Sequence, residues 1–231
     1  MSDARRIVLL GSTGLVGRNV CEAAVGDPRI YLTAIARRES PLPQDARMQM
    51  VVSEIAGWGD AIASARPEAV ICALGTTWKR AGEDEATFRA VDEKLVLDAA
   101  RAAKTAGCQH FLLVSSIGAD PTSKRFYLQV KGQVEKQLRE MKFPRLDLLR
   151  PGLLRGRRES DRRPLERLGI VVAPLADLFL HGARARYRSV KASILADALL
   201  ELTLAKARGT FVVEHEAIVR AAGRYRRERE D

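Results

Sequence analysis

The chain has 231 residues, 46% hydrophobic and 29% charged, which is enough apolar material to bury one sizeable core and implies a soluble globular protein. Its formal net charge is +10, and from Arg150 onward 18 Lys and Arg face 11 Asp and Glu, so +7 of that charge lies in the last third. Basic bias can attract phosphate-bearing ligands, nucleic acid or anionic membrane. Here "RGRRESDRR" mixes both signs and no aromatic residues interleave the basic runs, so a nucleic-acid partner is not expected.

The N-terminal stretch "MSDARRIVLLGSTG" runs from a short apolar segment into a glycine loop, so no cleavable leader is expected. No apolar run reaches membrane-spanning length; the nearest, "LGIVVAPLADLFL" at 168–180, is interrupted by Pro174 and Asp177. Strands are expected at 6–10, 31–36, 48–52, 69–74, 110–115 and 145–150, each a short run rich in Val, Ile and Leu. Most lack polar alternation, which suits strands covered on both faces. Helices are expected between them, at about 15–25, 58–65, 85–106 and 125–141. Such alternation predicts an α/β fold, a doubly wound parallel sheet with helices on both faces. The tail beginning "YRSVKASILADALLELTL" predicts a strand end, a helix stopped at Gly209 and a further strand. With no repeat or low-complexity linker, the expectation is one domain over 1–231, with 151–231 as a C-terminal segment laid over the strand ends and contributing the substrate pocket.

Cys21, Cys72 and Cys108 are an odd number, widely spaced and set in apolar contexts, with no CxxC pair; a reducing cytoplasm is the expected setting. His110, His181 and His215 show no ligand spacing, so no metal is expected.

The first strand runs directly into "GSTGLVGRNV". A strand, then glycines, then a helix lets backbone amides and the positive end of a helix approach a diphosphate. Gly11, Ser12, Thr13, Gly14, Leu15, Val16 and Gly17 are therefore candidate dinucleotide contacts, although GxxGxxG is one residue longer at the front than the usual fingerprint. After the second strand, where a ribose 2′-hydroxyl would call for an acid, stand Arg37 and Arg38, whose planar forks suit a 2′-phosphate. This favours NADP over NAD. Glu54 follows the third strand and can meet the adenine amine or simply be solvated. Leu74, Gly75, Thr76 and Thr77 follow the fourth, where a glycine lets the loop pass close to the cofactor.

In "KRFYLQVKGQVEKQL", Tyr127 and Lys131 lie four apart and share a helix face, yet Phe126, Tyr127, Val130 and Val134 also read as an apolar stripe. The motifs "GSTGLVG", "ALGTT", "VSSIGAD", "YLQVKG" and "LRPGLL", in this order, resemble the short-chain dehydrogenase/reductase superfamily, and more closely its atypical members related to the Tat-interacting oxidoreductase-like proteins. The resemblance runs from about residue 6 to about 160. It implies a Rossmann fold, NADP and a Ser–Tyr–Lys catalytic set: Tyr127 and Lys131 from YxxxK, and Ser116 as the second serine of its pair. Ser115, Tyr127, Lys131, Pro151 and Gly152 join the implied cofactor contacts.

Carbonyl reduction needs a proton for the developing alkoxide while hydride reaches carbon, and a cation beside a tyrosine favours its phenolate. Lys131 can serve that role and reach the ribose hydroxyls, while Ser116 holds the substrate oxygen. The leading expectation is an NADP-dependent oxidoreductase acting on a small carbonyl or alcohol. A regulatory or redox-sensing NADP module is an alternative, kept open by the short interval between Ser116 and Tyr127. A nucleotide-sugar epimerase or dehydratase is a third, disfavoured by the roughly 80 residues after Pro151. The resemblance also implies a possible homodimer, with the 85–106 and Tyr127 helices pairing across a two-fold axis.

Overall fold

The computed structural model describes residues 4–43, 47–156 and 182–230. Seven parallel strands form one sheet in the order β3-β2-β1-β4-β5-β6-β9. These are β1 (Arg5–Leu10), β2 (Ile30–Ala36), β3 (Met48–Val52), β4 (Ala69–Cys72), β5 (His110–Val114), β6 (Arg145–Leu149) and β9 (Gly209–Val213). A separate parallel pair joins β7 (Leu154–Arg155) to β8 (Val190–Lys191).

The helices are α1 (Leu15–Ala23), α2 (Trp58–Ala65), α3 (Glu85–Arg89), α4 (Val96–Thr105), α5 (Phe126–Glu140), α6 (Ala192–Leu204) and α7 (His215–Glu230). Successive strand residues point to opposite faces. Ile7 and Leu9 therefore pack with α1, α6 and α7, whereas Val8 and Leu10 pack with α2, α4 and α5. Both faces being covered explains why the strand sequences are continuously apolar.

The chain winds from β1 out to β3 and then returns to β4 on the other side of β1. Leu10 is in register with both Ile35 and Cys72. The loops after β1, β2 and β4 thus leave the same edge of the sheet, and those after β1 and β4 diverge around the point where the winding reverses. A crevice at such a point is where open α/β sheets bind ligands.

The single long helix expected over 85–106 contains a π-helical turn at Ala90–Leu95 between α3 and α4. The helix before β9 ends at Leu204; Gly209 instead opens β9 with φ 130°. From β8 onward, the C-terminal region adds the seventh strand, and α6 and α7 complete one face. The stretch "PLADLFLHG" at 174–182, which the sequence offers as an apolar wall of the pocket, lies outside the described residues except for Gly182, and so do Arg157 and Arg158, which with Arg155 are the sequence's candidate anion contacts; Arg155 ends β7 and is half-buried.

At the opposite edge of the sheet from the crevice, buried His110 Nε2 lies 2.5 Å from Asp147 Oδ2, and Arg145 donates to both oxygens of that carboxylate at 2.7 and 3.1 Å. Burial pushes the imidazole below its ordinary range despite the neighbouring carboxylate. The folded state therefore resists a proton that the unfolded chain takes up near pH ~6.5. Stability should fall as pH is lowered from 7 towards 5. Urea denaturation should show this fall, and His110→Gln should make it shallower.

Candidate functional site

The glycine loop is built by backbone contacts that exclude side chains. Gly11 has φ 90°, and a Cβ there would lie 2.6 Å from the Ala73 carbonyl oxygen at the end of β4. A Cβ on Gly17 would lie 2.2 Å from the Gly11 oxygen, and the Gly14 amide donates to that oxygen at 3.0 Å. Thr13 and Gly14 are exposed, Leu15 is half-buried, and Val16 is buried. The N-terminus of α1 has no side-chain cap and no acid in its first turn. Its amides and the positive end of its dipole suit an anion. Ser12 departs from this exposed set: its side chain is buried, and its Oγ has no hydrogen-bond partner.

Arg37 and Arg38 are exposed just beyond β2. Glu54 is exposed too, opening a short 3-10 turn beyond β3. These positions follow adjacent strands. Leu74 packs against the core beneath α4, and Gly75 leaves space beside Asp92 and Lys131. The Thr76 amide donates to Asp92 Oδ2 at 2.7 Å, and Thr77 Oγ1 accepts from the Arg80 amide.

Tyr127 stands in the first turn of α5 and is 36% exposed, whereas Val130 and Val134 are fully buried. The apolar stripe is therefore carried by 130 and 134, with Phe126 partly covered, and the phenol lies off it. The Tyr127 ring meets Phe88 edge-on at 5.7 Å, beside Phe126 and Trp78. Lys131 is buried, with Nζ 2.8 Å from Asp92 Oδ1. Burial disfavours its charge, but Asp92 and Tyr127 outweigh that and raise its pKa.

The two serines diverge. Ser115 is buried and donates to Glu135 Oε1 at 2.6 Å; Glu135 is gripped in turn by the Arg150 guanidinium at 2.9 and 2.6 Å. Ser116 is half-buried, with only a 3.4 Å contact to the Ile117 carbonyl. Pro151 accepts from the Ile117 amide, which ties the end of β6 to the loop after β5. A Cβ on Gly152 would meet the Arg188 carbonyl oxygen at 2.5 Å.

Asp92 and the Glu135–Arg150 pair were missed in reading the sequence. The signal for Asp92 was present: at i+4 from Phe88 and i−4 from Val96, it is a charge on an otherwise apolar helical stripe.

Residues 11–168 match a family model described as NAD(P)H-binding. A mitochondrial protein FMP52 from Meyerozyma guilliermondii is 38% identical over 172 residues, covering 74% of each chain. Protein HTATIP2 from Rattus norvegicus is 37% identical over 163 residues, covering 68% of this chain and 66% of that protein. The chain belongs to the NAD(P)H-binding, atypical short-chain dehydrogenase/reductase family. Among solved structures, UDP-glucose 4-epimerase from Thermotoga maritima, with UDP-glucose, superposes with a TM-score of 0.68 at 16% identity. It covers 90% of this chain and 76% of that one, a likeness of fold.

The expectation of a cytoplasmic setting is corrected by the mitochondrial designation of the FMP52 relatives. Cys21, Cys72 and Cys108 are free and buried, which does not identify a compartment. Among the described residues there is no His, Cys, Asp or Glu group suited to a metal, and no helix is long and apolar enough to cross a membrane.

The residues present fit a dinucleotide: closely packed glycines, an uncapped helix N-terminus, and a buried lysine reached through a second glycine loop. Lys131 is itself positioned by its neighbour. A Cβ on Gly132 would sit 2.2 Å from the backbone of Asp120 and Pro121, where the Asp120 amide donates to the Leu128 carbonyl. Gly132→Ala should destabilise the protein by about 1–3 kcal/mol in chemical denaturation, as overpacking does.

Proposed function

We propose that this protein is an NADP-dependent oxidoreductase exchanging hydride with a small carbonyl or alcohol, with Tyr127 as general acid and base. The observation that carries the reading is the half-exposed phenol of Tyr127 beside a buried Lys131, next to the loop after β4.

When bound, the nicotinamide gives or takes the hydride. The chain's own part is to bind, orient and move a proton. Gly11, Thr13, Gly14, Leu15, Val16 and Gly17 form the diphosphate cradle through their backbone, with Ser12 packed beneath it. Arg37 and Arg38 supply cations for a 2′-phosphate, and Glu54 lies within the adenine-side set. Leu74, Gly75, Thr76, Thr77, Pro151 and Gly152 form the opposing loops. Tyr127 Oη holds the proton that a developing alkoxide takes, and Ser116 Oγ, free of a strong partner, orients the same oxygen. Ser115 supports this arrangement from beneath through Glu135. Trp78 and Phe126, backed by the buried Phe88, give the substrate side an aromatic wall.

Two measurements test the reading. Tyr127→Phe should keep NADP affinity within a few-fold while turnover falls by about 10²–10⁴, the usual contribution of a general acid. Calorimetric titration with each dinucleotide should show tighter binding of NADP than NAD in the wild type, and Arg37→Glu should weaken NADP much more than NAD. Dinucleotide binding with no change in nicotinamide absorbance across a broad carbonyl panel would favour the regulatory module instead.

A further inference from the structure

The apolar surface beside Tyr127 is separate from the cores on the two faces of the sheet. Ala81, Phe88 and Val130 form a small buried cluster of their own, with Phe126 packed against it. Two exposed rings rest on it: Trp78 and Tyr127, each 36% exposed, stand 6.2 and 5.7 Å from the fully buried Phe88. Phe126 meets Trp78 edge-on at 5.2 Å and Phe88 at 5.6 Å. Aromatic residues make up only 5% of the chain, so four around one small cluster are more than background composition.

The tryptophan is held before any ligand arrives. In the loop after β4 its carbonyl accepts from the Glu83 amide at 3.0 Å, and the Thr77 carbonyl accepts from the Ala81 amide at 2.9 Å. The chain's other tryptophan, Trp58, is buried and donates its indole N–H to the Ser53 carbonyl. Trp78 is instead fixed by its contacts with Phe88 and Phe126.

We propose that Trp78 is a specificity-determining residue and that the substrate is an aryl carbonyl compound or the matching aryl alcohol, its ring lying on the Trp78–Phe126 shelf while its oxygen meets Tyr127. The inference rests on the reading of this site as an oxidoreductase, with hydride exchanged with the nicotinamide and the proton with Tyr127. It adds the class of molecule that is turned over.

The chemistry of the shelf selects that class. The rings of Phe88 and Phe126 offer no hydrogen-bonding atom, so a hydroxyl-rich sugar would lose water there without replacement. The guanidinium over Phe126, that of Arg89 at 5.2 Å, is already engaged by Glu93 and Gln133. Exposed residues flanking the rings in sequence carry both signs, Lys79, Arg80, Lys124 and Arg125 against Glu83, Asp84 and Glu85, so charge does not choose. What remains is an aromatic surface, which gains most from another ring, stacked or edge-on.

The test compares a phenyl with a cyclohexyl ring of the same carbon count. Binding of 1-phenylethanol and 1-cyclohexylethanol is measured by calorimetry on Tyr127→Phe, which lacks the proton donor, with and without NADP. Trp78→Leu in the same background keeps an apolar side chain at this exposed position. With tryptophan at 78, the preference for phenyl over cyclohexyl should exceed that of the leucine variant by about 2- to 10-fold, the usual contribution of an aromatic pair beyond its buried area. Tryptophan emission should respond to 1-phenylethanol and lose that response in Trp78→Leu. With Tyr127 intact, the ratio of kcat/KM for acetophenone over cyclohexyl methyl ketone should fall by the same factor on Trp78→Leu.

Equal ring preference with tryptophan and leucine at 78, or tighter Trp78-dependent binding of UDP-glucose as a third probe, would overturn the proposal. Turnover of both ketones with a preference that Trp78→Leu leaves unchanged removes the aryl shelf and keeps the oxidoreductase. Trp78-dependent binding of 1-phenylethanol with no carbonyl consumed keeps the shelf and removes the oxidoreductase.

Discussion

Backbone lies on backbone where β1 ends, with no room between for a methyl group. Gly17 packs on the Gly11 carbonyl, and Gly11 packs on the Ala73 carbonyl at the end of β4. This close approach brings the start of α1 against the reversal point of the sheet and leaves its first amides facing outward. Any side chain at 11 or 17 would push the helix away from the strand ends. The glycines thus act by contact distance, and at Gly11 also by a φ of 90°.

From that point inward, the site is organised by buried charge held in pairs. Lys131 is tied to Asp92, and Glu135 to Arg150 and Ser115. Breaking a buried pair by removing one partner typically costs about 3–5 kcal/mol, because the remaining charge stays out of water. These pairs link elements far apart in sequence: α5 to the π turn and the loop after β4, and α5 again to the ends of β5 and β6. The phenol of Tyr127 is presented by a helix anchored along its length, which holds it in a fixed position.

The parallel sheet was legible because period and composition carry it: buried strands read as unbroken Val, Ile and Leu runs, and helices fall between them. The glycine loop and the Tyr127–Lys131 spacing were legible for a similar reason, since short-range geometry constrains both. What escaped was tertiary. No local pattern announces the π turn that carries Asp92, nor that its carboxylate lies buried beside Gly75. Nor does spacing show that Ser115 turns towards Glu135 while Ser116 stays free, because the partner is 20 residues away. Gly209 looked like a helix stop by residue type; the helix had already ended at Leu204, and the glycine serves the start of an edge strand.

The last helix closes the molecule onto its first crossover. Tyr225 and Arg229 of α7 both donate to the Ala23 carbonyl at the end of α1, and Glu228 pairs with Arg29. Contacts spanning about two hundred residues mean that α1, made early in synthesis, receives its covering layer only after α6 and α7 have left the ribosome. Until then its apolar flank is open to the surroundings, and a nascent chain of this kind depends on the speed of its final docking step.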